Sequence, residues 1–283
     1  MKEMSLDEIH EVNLEILKII DSFCREHKIR YMLGYGTLLG AVRHSGFIPW
    51  DDDADVIMLR NDYDRFLKEF SDSEDYHFYA PEKGDSLLTY GRLCEMKRTF
   101  FRARSKWALR DRPGVGVDVF PIDAVGDSVS DTEMVDSLYC AVREMWRLRG
   151  SRMIYPASLR LSRSAGFLRN LKNIVHLVFR FPRVPWSMIK SRTVLERFLK
   201  CLRLYKSNHS NMVGNLTIPT YADKEKMPAS WFLETTEAEF ERTMLSVPKH
   251  YSDVLRNYYG DYMKLPPEDQ RGTHGTVQTM CWR

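Results

Sequence analysis

Four aspartates fall within five consecutive positions of the stretch "FIPWDDDADVIM", residues 47–58. Carboxylates this close repel one another and resist burial, so such a cluster is either neutralised by a cation or left in water. The run "ADVIML" that follows is typical of a short β-strand. Because side chains alternate along a strand, Asp53 and Asp55 are predicted to face the same side. Their spacing indicates two carboxylates that converge on one cation.

A third carboxylate lies between apolar residues in "GVGVDVFPID", another strand-like segment. An adjacent strand would bring this residue, Asp118, to the face of Asp53 and Asp55. Three converging carboxylates with room for water and substrate oxygens suit one or two Mg²⁺ or Mn²⁺ ions. Such ions activate an attacking oxygen and neutralise a leaving phosphate, so the three aspartates are predicted to be both metal-binding and catalytic. For Asp51 and Asp52, direct ligation and support of the turn remain open alternatives.

A calcium loop of the EF-hand type is the strongest non-enzymatic alternative. Asp51, Asp53 and Asp55 fit its first, third and fifth positions. The sixth position is Val56 where glycine is required, and the twelfth is Asp62 where glutamate is expected. The residues between follow a strand pattern, so this alternative fails. A purely structural cluster, with aspartates capping turns or pairing with arginines, explains one or two of the four.

Local sequence patterns predict the helices and strands that position these residues. A possible capping box at Ser5 and Glu8 opens a helix that runs to about Lys28. A short strand over 30–33, a glycine turn and a helix from about Thr37 to Gly46 come next. The strand "ADVIML" then leads to a helix for which Asn61 is the predicted N-cap.

The turn at Gly36 and Thr37 stands at the start of that second helix. Backbone N–H groups at a helix start are donors for a phosphate, so this turn is a candidate phosphate site. Arg43 and His44 add positive charge close by in sequence. The order of strand, turn, helix and acidic strand favours a phosphate-handling enzyme.

Composition narrows the class of protein further. The chain has 283 residues, is 43% hydrophobic and has a net charge of +3, which predicts a globular fold. Its five cysteines form no Cys-x-x-Cys pair, which argues against a zinc or redox motif. The beginning of the chain does not resemble a signal peptide, and no apolar run is long enough to span a membrane. We therefore expect a cytoplasmic protein.

Positive charge is concentrated in one segment. Residues 141–205 contain 15 Lys or Arg against two acidic residues. This mixture of cations with Leu, Ile, Val and Phe suits a surface helix on an anionic bilayer or polyanion, at the inner membrane face. A basic helix packed on its own domain is the equally weighted alternative. Nucleic acid is not expected as a partner, because the segment has no recognised nucleic-acid motif.

The stretch "GYGTLLGAVRHSGFIPWDDDADVIMLRNDYDRF", residues 34–66, closely resembles the signature of the LicD family. This family belongs to the nucleotidyltransferase-fold superfamily, together with the fukutin-related proteins. The resemblance extends to "VDVFPID" and to "YYGDYMKLPPEDQRGTH", but not to the basic segment. It implies an α+β fold with a nucleotidyltransferase-type mixed sheet flanked by helices and a mostly helical basic segment. The expected organisation is a catalytic core over 1–135, the basic segment over 136–205 and a C-terminal segment over 206–283 that completes the active site.

The resemblance also implies a reaction. LicD-like enzymes transfer phosphocholine from CDP-choline to a sugar hydroxyl of a surface glycan, and fukutin-like relatives transfer ribitol phosphate from CDP-ribitol. The oxygen nucleophile attacks the phosphorus distal to the nucleoside, and CMP leaves. The expected partners are CDP-choline or a similar CDP-alcohol and a glycan or lipid-linked glycan acceptor. A nucleotidyltransferase that releases pyrophosphate is the alternative enzyme, and a scaffold protein would be expected to lack a metal ligand.

Site residues follow from the same resemblance. The superfamily's Gly-Ser or Gly-Thr turn is Gly36-Thr37 here, its acidic pair is Asp53 and Asp55, and its third acid is Asp118. The predicted donor phosphate or nucleotide site comprises Gly36, Thr37, Arg43, His44, Arg271 and His274. A quaternary ammonium has no hydrogen to donate and is recognised by aromatic faces. Tyr35, Trp50 and Trp107 are candidates for a choline cage by location, with ordinary core packing as the alternative.

Overall fold

The computed structural model describes residues 2–86, 88–102, 114–126, 136, 138, 140–143, 192–200, 202, 211–218, 224–273 and 279–283. These residues form the predicted α+β fold, a mixed sheet with helices packed on it. Trp107, His274 and most of the basic segment lie outside the described residues. The three-part division of the chain stays a prediction.

The first helix, α1 (Leu6–His27), begins as predicted. The Ser5 side chain accepts from the Glu8 backbone N–H, and the Glu8 side chain accepts from the Ser5 backbone N–H. On its apolar face, Ile16, Leu17 and Ile20 are fully buried. The helix ends where Lys28 adopts a left-handed conformation with φ of 54°.

The main sheet contains one parallel strand pair, and that pair bears the predicted aspartates. Its strands are β1 (Met32–Leu33), β2 (Asp55–Leu59), β3 (Tyr76–Tyr79), β4 (Gly91–Glu95), β6 (Gly116–Ala124), β7 (Met212–Gly214) and β8 (Met227–Pro228). Strand order is β1-β2-β6-β4-β3, with β7 paired to β6 and β8 paired to β7. Among the described residues of this sheet, only β2 and β6 run parallel, and the other pairs are antiparallel.

The other strands of the described residues form two smaller, two-stranded sheets. The hairpin of β9 (Thr235–Phe240) and β10 (Thr243–Pro248) is one of them. The other pairs β5 (Thr99–Arg102) with β11 (Thr279–Trp282). Backbone bonds from Met4 N–H to the Met280 carbonyl and from Trp282 N–H to the Lys2 carbonyl tie β11 to the start of the chain.

Helices α2 (Tyr35–His44) and α3 (Arg60–Glu69) pack on the main sheet, and α4 (Tyr251–Tyr259) packs on α2. The prediction that Asn61 caps α3 is wrong. Strand β2 leads into the helix without a loop, so Leu59 is the N-cap and Asn61 already lies in the first turn. The Arg60 guanidinium holds this junction by two hydrogen bonds of 2.7 and 2.8 Å to the Asp123 carboxylate on β6.

The described part of the basic segment is helical, as predicted, over 140–143 and 192–200. Val194, Leu195 and Phe198 are buried in a second small core with Val125, Leu138, Val142 and Leu216. Arg192, Arg197 and Lys200 are exposed on the same helix. Within the described residues, no helix combines the length and the apolar character needed to cross a membrane.

Candidate active site

Two predicted aspartates stand side by side on the parallel strands. Asp55 on β2 and Asp118 on β6 are register partners, and the Asp118 backbone N–H donates to the Ala54 carbonyl at 2.9 Å. Asp118 was expected on the face of Asp53 and Asp55. Register partners on neighbouring strands point to the same face, so the structure places Asp118 beside Asp55, whereas Asp53 precedes the strand. These two carboxylates, on neighbouring strands and in register, form one side of the candidate site.

Arg92 extends this row to a third strand, β4, where it is the register partner of Asp118. Its guanidinium donates to Asp118 Oδ1 at 2.5 Å, and both side chains are almost fully buried. Burial alone would lower the pKa of Arg92, but the neighbouring Asp118 charge raises it overall, so the arginine stays charged. Arg92 was not predicted from the sequence. An arginine inside the apolar strand segment "TYGRLCEM" was the available signal, because a buried cation needs a buried partner.

The loop before β2 brings three more carboxylates to the same place. One oxygen from each of Asp51, Asp52 and Asp53 lies within 4.8 Å of the others. Burial raises the pKa of the Asp55 carboxyl well above its ordinary value, and the charges of Asp53, Asp118 and Asp51 raise it further. The charges of Asp51, Asp53 and Asp118 thus act on Asp55, with Arg92 as an opposing cation, and Asp52 lies beside Asp51 and Asp53.

Hard divalent cations prefer carboxylate oxygens, and a bound cation would stabilise the charged form of these groups. The donor set therefore fits Mg²⁺ or Mn²⁺. The group that converges within 4.8 Å includes Asp51 and Asp52, whose ligand role the sequence left open. Whether Asp53, Asp55 and Asp118 bind the ion together stays a prediction.

The start of α2 is fastened to the acidic strand on both sides of Asp55. The Asp55 N–H donates to Thr37 Oγ1 at 2.8 Å, and the Gly34 N–H donates to the Asp55 carbonyl at 3.0 Å. Between them, Gly36 lies so close to Asp51 that an added Cβ would sit 2.6 Å from Asp51 Oδ2. The predicted turn thus approaches two aspartates, and a side chain at its centre would require Asp51 to move.

Contacts from α1 and the β9–β10 hairpin hold the loop over residues 45–54, which we call the acidic loop. His10 on α1 donates from Nε2 to the Asp51 carbonyl at 2.6 Å and stacks on Phe47 at 4.2 Å. On the hairpin, Glu241 accepts from the Phe47 N–H at 3.2 Å, and its own N–H donates to the Ser45 carbonyl. The loop that carries the aspartates is therefore anchored at several points.

Four residues predicted to bind the donor or its choline meet beside this loop. The Arg271 guanidinium lies 5.4 Å from the Trp50 ring centroid, and the His44 ring meets Trp50 edge-on at 6.1 Å. Arg43 donates to His44 Nε2 at 3.0 Å and to the carbonyls of Tyr262 and Lys264. Burial lowers the pKa of Arg43 and of His44, and each is lowered further by a neighbouring arginine. We call Arg43, His44, Trp50 and Arg271 the basic cluster.

Tyr35 occupies a different environment from Trp50. It is buried, with its ring edge-on to Phe120 at 5.4 Å and tilted against Tyr258 at 5.3 Å. Its hydroxyl contacts the buried carboxylate of Glu225, a residue that sequence reasoning missed. The choline cage of Tyr35, Trp50 and Trp107 stays a prediction, and Trp107 lies outside the described residues.

A mixed sheet that aligns aspartates of two parallel strands beside a glycine-turn helix start defines a nucleotidyltransferase-type fold. A family model for this fold, "LicD/FKTN/FKRP, nucleotidyltransferase domain", matches residues 28–149. That range contains the three predicted metal ligands, the turn of α2 and Arg92.

A similar relative is the lipopolysaccharide cholinephosphotransferase LicD of Haemophilus influenzae, with 30% identity over 97% of both chains. An uncharacterized protein of Rickettsia typhi is 40% identical over 20% of this chain and 19% of its own. A second, from Rickettsia prowazekii, is 42% identical over 17% of this chain and 18% of its own. The protein belongs to the LicD family, as the resemblance predicted.

Proposed function

We propose that this protein is a metal-dependent phosphotransferase. It moves phosphocholine from CDP-choline to a sugar hydroxyl of a cell-surface glycan or its lipid-linked precursor and releases CMP. The observation that supports the proposal most is the row of Asp55, Asp118 and Arg92 beside the acidic loop, in a chain related over its whole length to a cholinephosphotransferase. The cargo is inferred from that relative's named activity.

In this proposal, the aspartates would hold a divalent metal at the donor's diphosphate. Asp53, Asp55 and Asp118 are the proposed ligands, and Asp51 and Asp52 converge with Asp53 within 4.8 Å. Bound Mg²⁺ or Mn²⁺ would neutralise the diphosphate and stabilise negative charge on the departing oxygen. Because the positive charge of Arg92 neutralises the negative charge of Asp118, it weakens the electrostatic repulsion between the aspartates and an anionic substrate.

The transfer itself makes one phosphorus–oxygen bond and breaks another. The acceptor hydroxyl oxygen attacks the phosphorus that bears choline, and the bridging oxygen leaves with its electron pair on CMP. The hydroxyl proton passes to Asp118, the proposed base. Positioning and charge neutralisation supply most of the rate in such reactions.

The basic cluster is the proposed site for the nucleotide end of the donor. The Arg271 guanidinium lies over the Trp50 ring. An aromatic face suits a cytosine ring, and a guanidinium suits a phosphate. Arg43 uses its guanidinium to hold the carbonyls of Tyr262 and Lys264. Its proposed contribution is therefore to fix the loop that brings Arg271 over Trp50.

The test is product identity. The purified protein is incubated with Mg²⁺, choline-free lipopolysaccharide and a panel of CDP-choline, CDP-ribitol, CDP-glycerol and NTPs, and CMP and pyrophosphate are both quantified. We expect Mg²⁺-dependent CMP from CDP-choline, reduced at least about 100-fold by Asp53→Ala. The matched control is Asp64→Ala, which removes a carboxylate that is 60% exposed and should leave turnover unchanged.

Other products would contradict the proposal in distinct ways. CMP from CDP-ribitol or CDP-glycerol alone would replace the cargo and keep the reaction class. Pyrophosphate from an NTP would instead make the protein a nucleotidyltransferase. CMP release that Asp53→Ala does not reduce would remove the aspartates from the mechanism.

A further inference from the structure

Glu225 is a fully buried carboxylate that the proposed reaction does not use. It accepts a hydrogen bond from the Tyr258 hydroxyl at 2.8 Å and from the Tyr35 hydroxyl at 3.2–3.3 Å. The Tyr35 hydroxyl in turn accepts from Asn215 Nδ2 at 2.7 Å. Four polar side chains from four separate parts of the chain therefore meet in the protein interior.

Tyr35 has an unusual backbone conformation within this network. Tyr35 has φ of 45°, in the left-handed region that bulky residues rarely adopt. Such a conformation persists only where surrounding contacts over-determine it. Here the phenol ring is packed against Phe120 and Tyr258, and its hydroxyl is held by Glu225 and Asn215.

Tyr35 also lies between the residues that touch the acidic site. The Gly34 N–H donates to the Asp55 carbonyl, and Thr37 Oγ1 accepts from the Asp55 N–H. Gly36 lies directly against the Asp51 carboxylate. A rotation of Tyr35 toward ordinary φ values would displace all three of these neighbours. The conformation of one residue thus sets the fit between α2 and two aspartates.

We infer that Glu225 is a positioning residue that, through Tyr35, locks the first turn of α2 against Asp51 and Asp55. It acts without touching the substrate, because it is fully buried. The clamp is reinforced from outside: Lys224 Nζ donates to the Tyr258 carbonyl at 2.7 Å, and Asn257 Nδ2 donates to the Lys224 carbonyl. The catalytic consequence rests on the proposed function, whereas the structural consequence does not.

The fold contains a matched control for this network. Tyr63 on α3 is also fully buried, and its hydroxyl donates to Glu82 at 3.3 Å. Tyr63→Phe, like Tyr35→Phe, deletes the hydrogen bond that a buried tyrosine donates to a glutamate, although the bond to Glu82 is only partly buried. Tyr63 does not lie on the turn of α2. A loss of stability alone would affect the two variants alike.

The first readout is hydrogen exchange of the peptide that contains the Asp55 amide, which needs no substrate. We expect faster exchange in Tyr35→Phe and Glu225→Ala, and wild-type exchange in Tyr63→Phe. The second is donor turnover, with at least a 10-fold fall in kcat/KM for the same two variants. Glu225→Gln, which keeps an acceptor oxygen for the tyrosine hydroxyls, should recover most of the loss.

Equal exchange and turnover in Tyr35→Phe and Tyr63→Phe would overturn the inference. If Glu225→Ala fails to fold, Tyr258→Phe tests the same clamp, because it removes one bond to Glu225 and leaves α2 unaltered. If the wild type does not use CDP-choline, the proposed function fails, and the exchange of the Asp55 amide still decides the role of Glu225.

Discussion

Arg92 compensates one of the carboxylates of the site from inside the protein. Removing one partner of a buried ion pair costs about 3–5 kcal/mol, because the other charge is left uncompensated. We expect Arg92→Met to lose stability on this scale and to lose nearly all turnover, measured by urea unfolding and CMP release. Arg25→Met is the control, since Arg25 pairs with Asp21 and Glu237 at the surface and such pairs contribute about 1 kcal/mol or less.

A double variant separates the two effects of Arg92. Asp118→Asn in the Arg92→Met background removes the orphaned charge, so stability should recover. Turnover should not recover, because the double variant still lacks the third carboxylate. If activity returned together with stability, the pair would be an element of the fold and not of the site.

Glu225 makes stability depend on pH. Burial raises the pKa of its carboxyl from 4.5 to about 7, although hydrogen bonds from Tyr258 and Tyr35 lower it in part. Between these values, the folded protein keeps a proton that the unfolded chain has lost. Stability from this group therefore falls as pH rises from about 5 to about 8, by about 2 kcal/mol.

This dependence is measurable as the difference between wild type and Glu225→Gln in urea unfolding at pH 5 and pH 8. Glutamine does not titrate, so the variant should gain relative to the wild type as pH rises. Glu237→Gln removes an exposed carboxylate and should preserve the wild-type dependence. A constant difference between wild type and Glu225→Gln would show that Glu225 titrates near its ordinary pKa in the folded protein.

At the scale of elements, the fit of α2 against the acidic loop depends on Gly36. A methyl group there would reach 2.6 Å from Asp51 Oδ2, the far end of a short side chain. We expect Gly36→Ala to fold and to move Asp51, with a fall in kcat/KM of about 10- to 100-fold, since small misplacements have effects of this size. The control is Gly272→Ala, where the added methyl meets open space.

Much of this element arrangement was predictable because its signals are local. Alternation of side chains placed Asp55 on a strand, the glycine turn marked α2, and a second acidic strand indicated Asp118. Arg92 and Glu225 were not assigned, because their partners lie far away in sequence. Tyr35 and Glu225, for example, are 190 residues apart, and no local pattern reports such a pairing. The N-cap at Asn61 was mispredicted because the strand leads straight into the helix.

On the scale of the whole molecule, charge is divided between an acidic site and a basic segment. The described helix over 192–200 buries Val194, Leu195 and Phe198, as a helix packed on its own domain does. It nevertheless turns Arg192, Arg197 and Lys200 outward. We therefore predict that docking on an anionic surface uses these outward cations and not the apolar face of this helix.

We therefore expect the protein to sediment with vesicles that contain anionic lipid, at low salt and less so at high salt. Replacing Arg192, Arg197 and Lys200 by glutamine should weaken binding by about 3 kcal/mol, since each cation near such a surface contributes about 1 kcal/mol. The control replaces three exposed cations elsewhere, Lys18, Lys68 and Arg242. Equal loss in both variants would mean that total charge and not this helix drives binding, and no sedimentation of the wild type would end the membrane hypothesis.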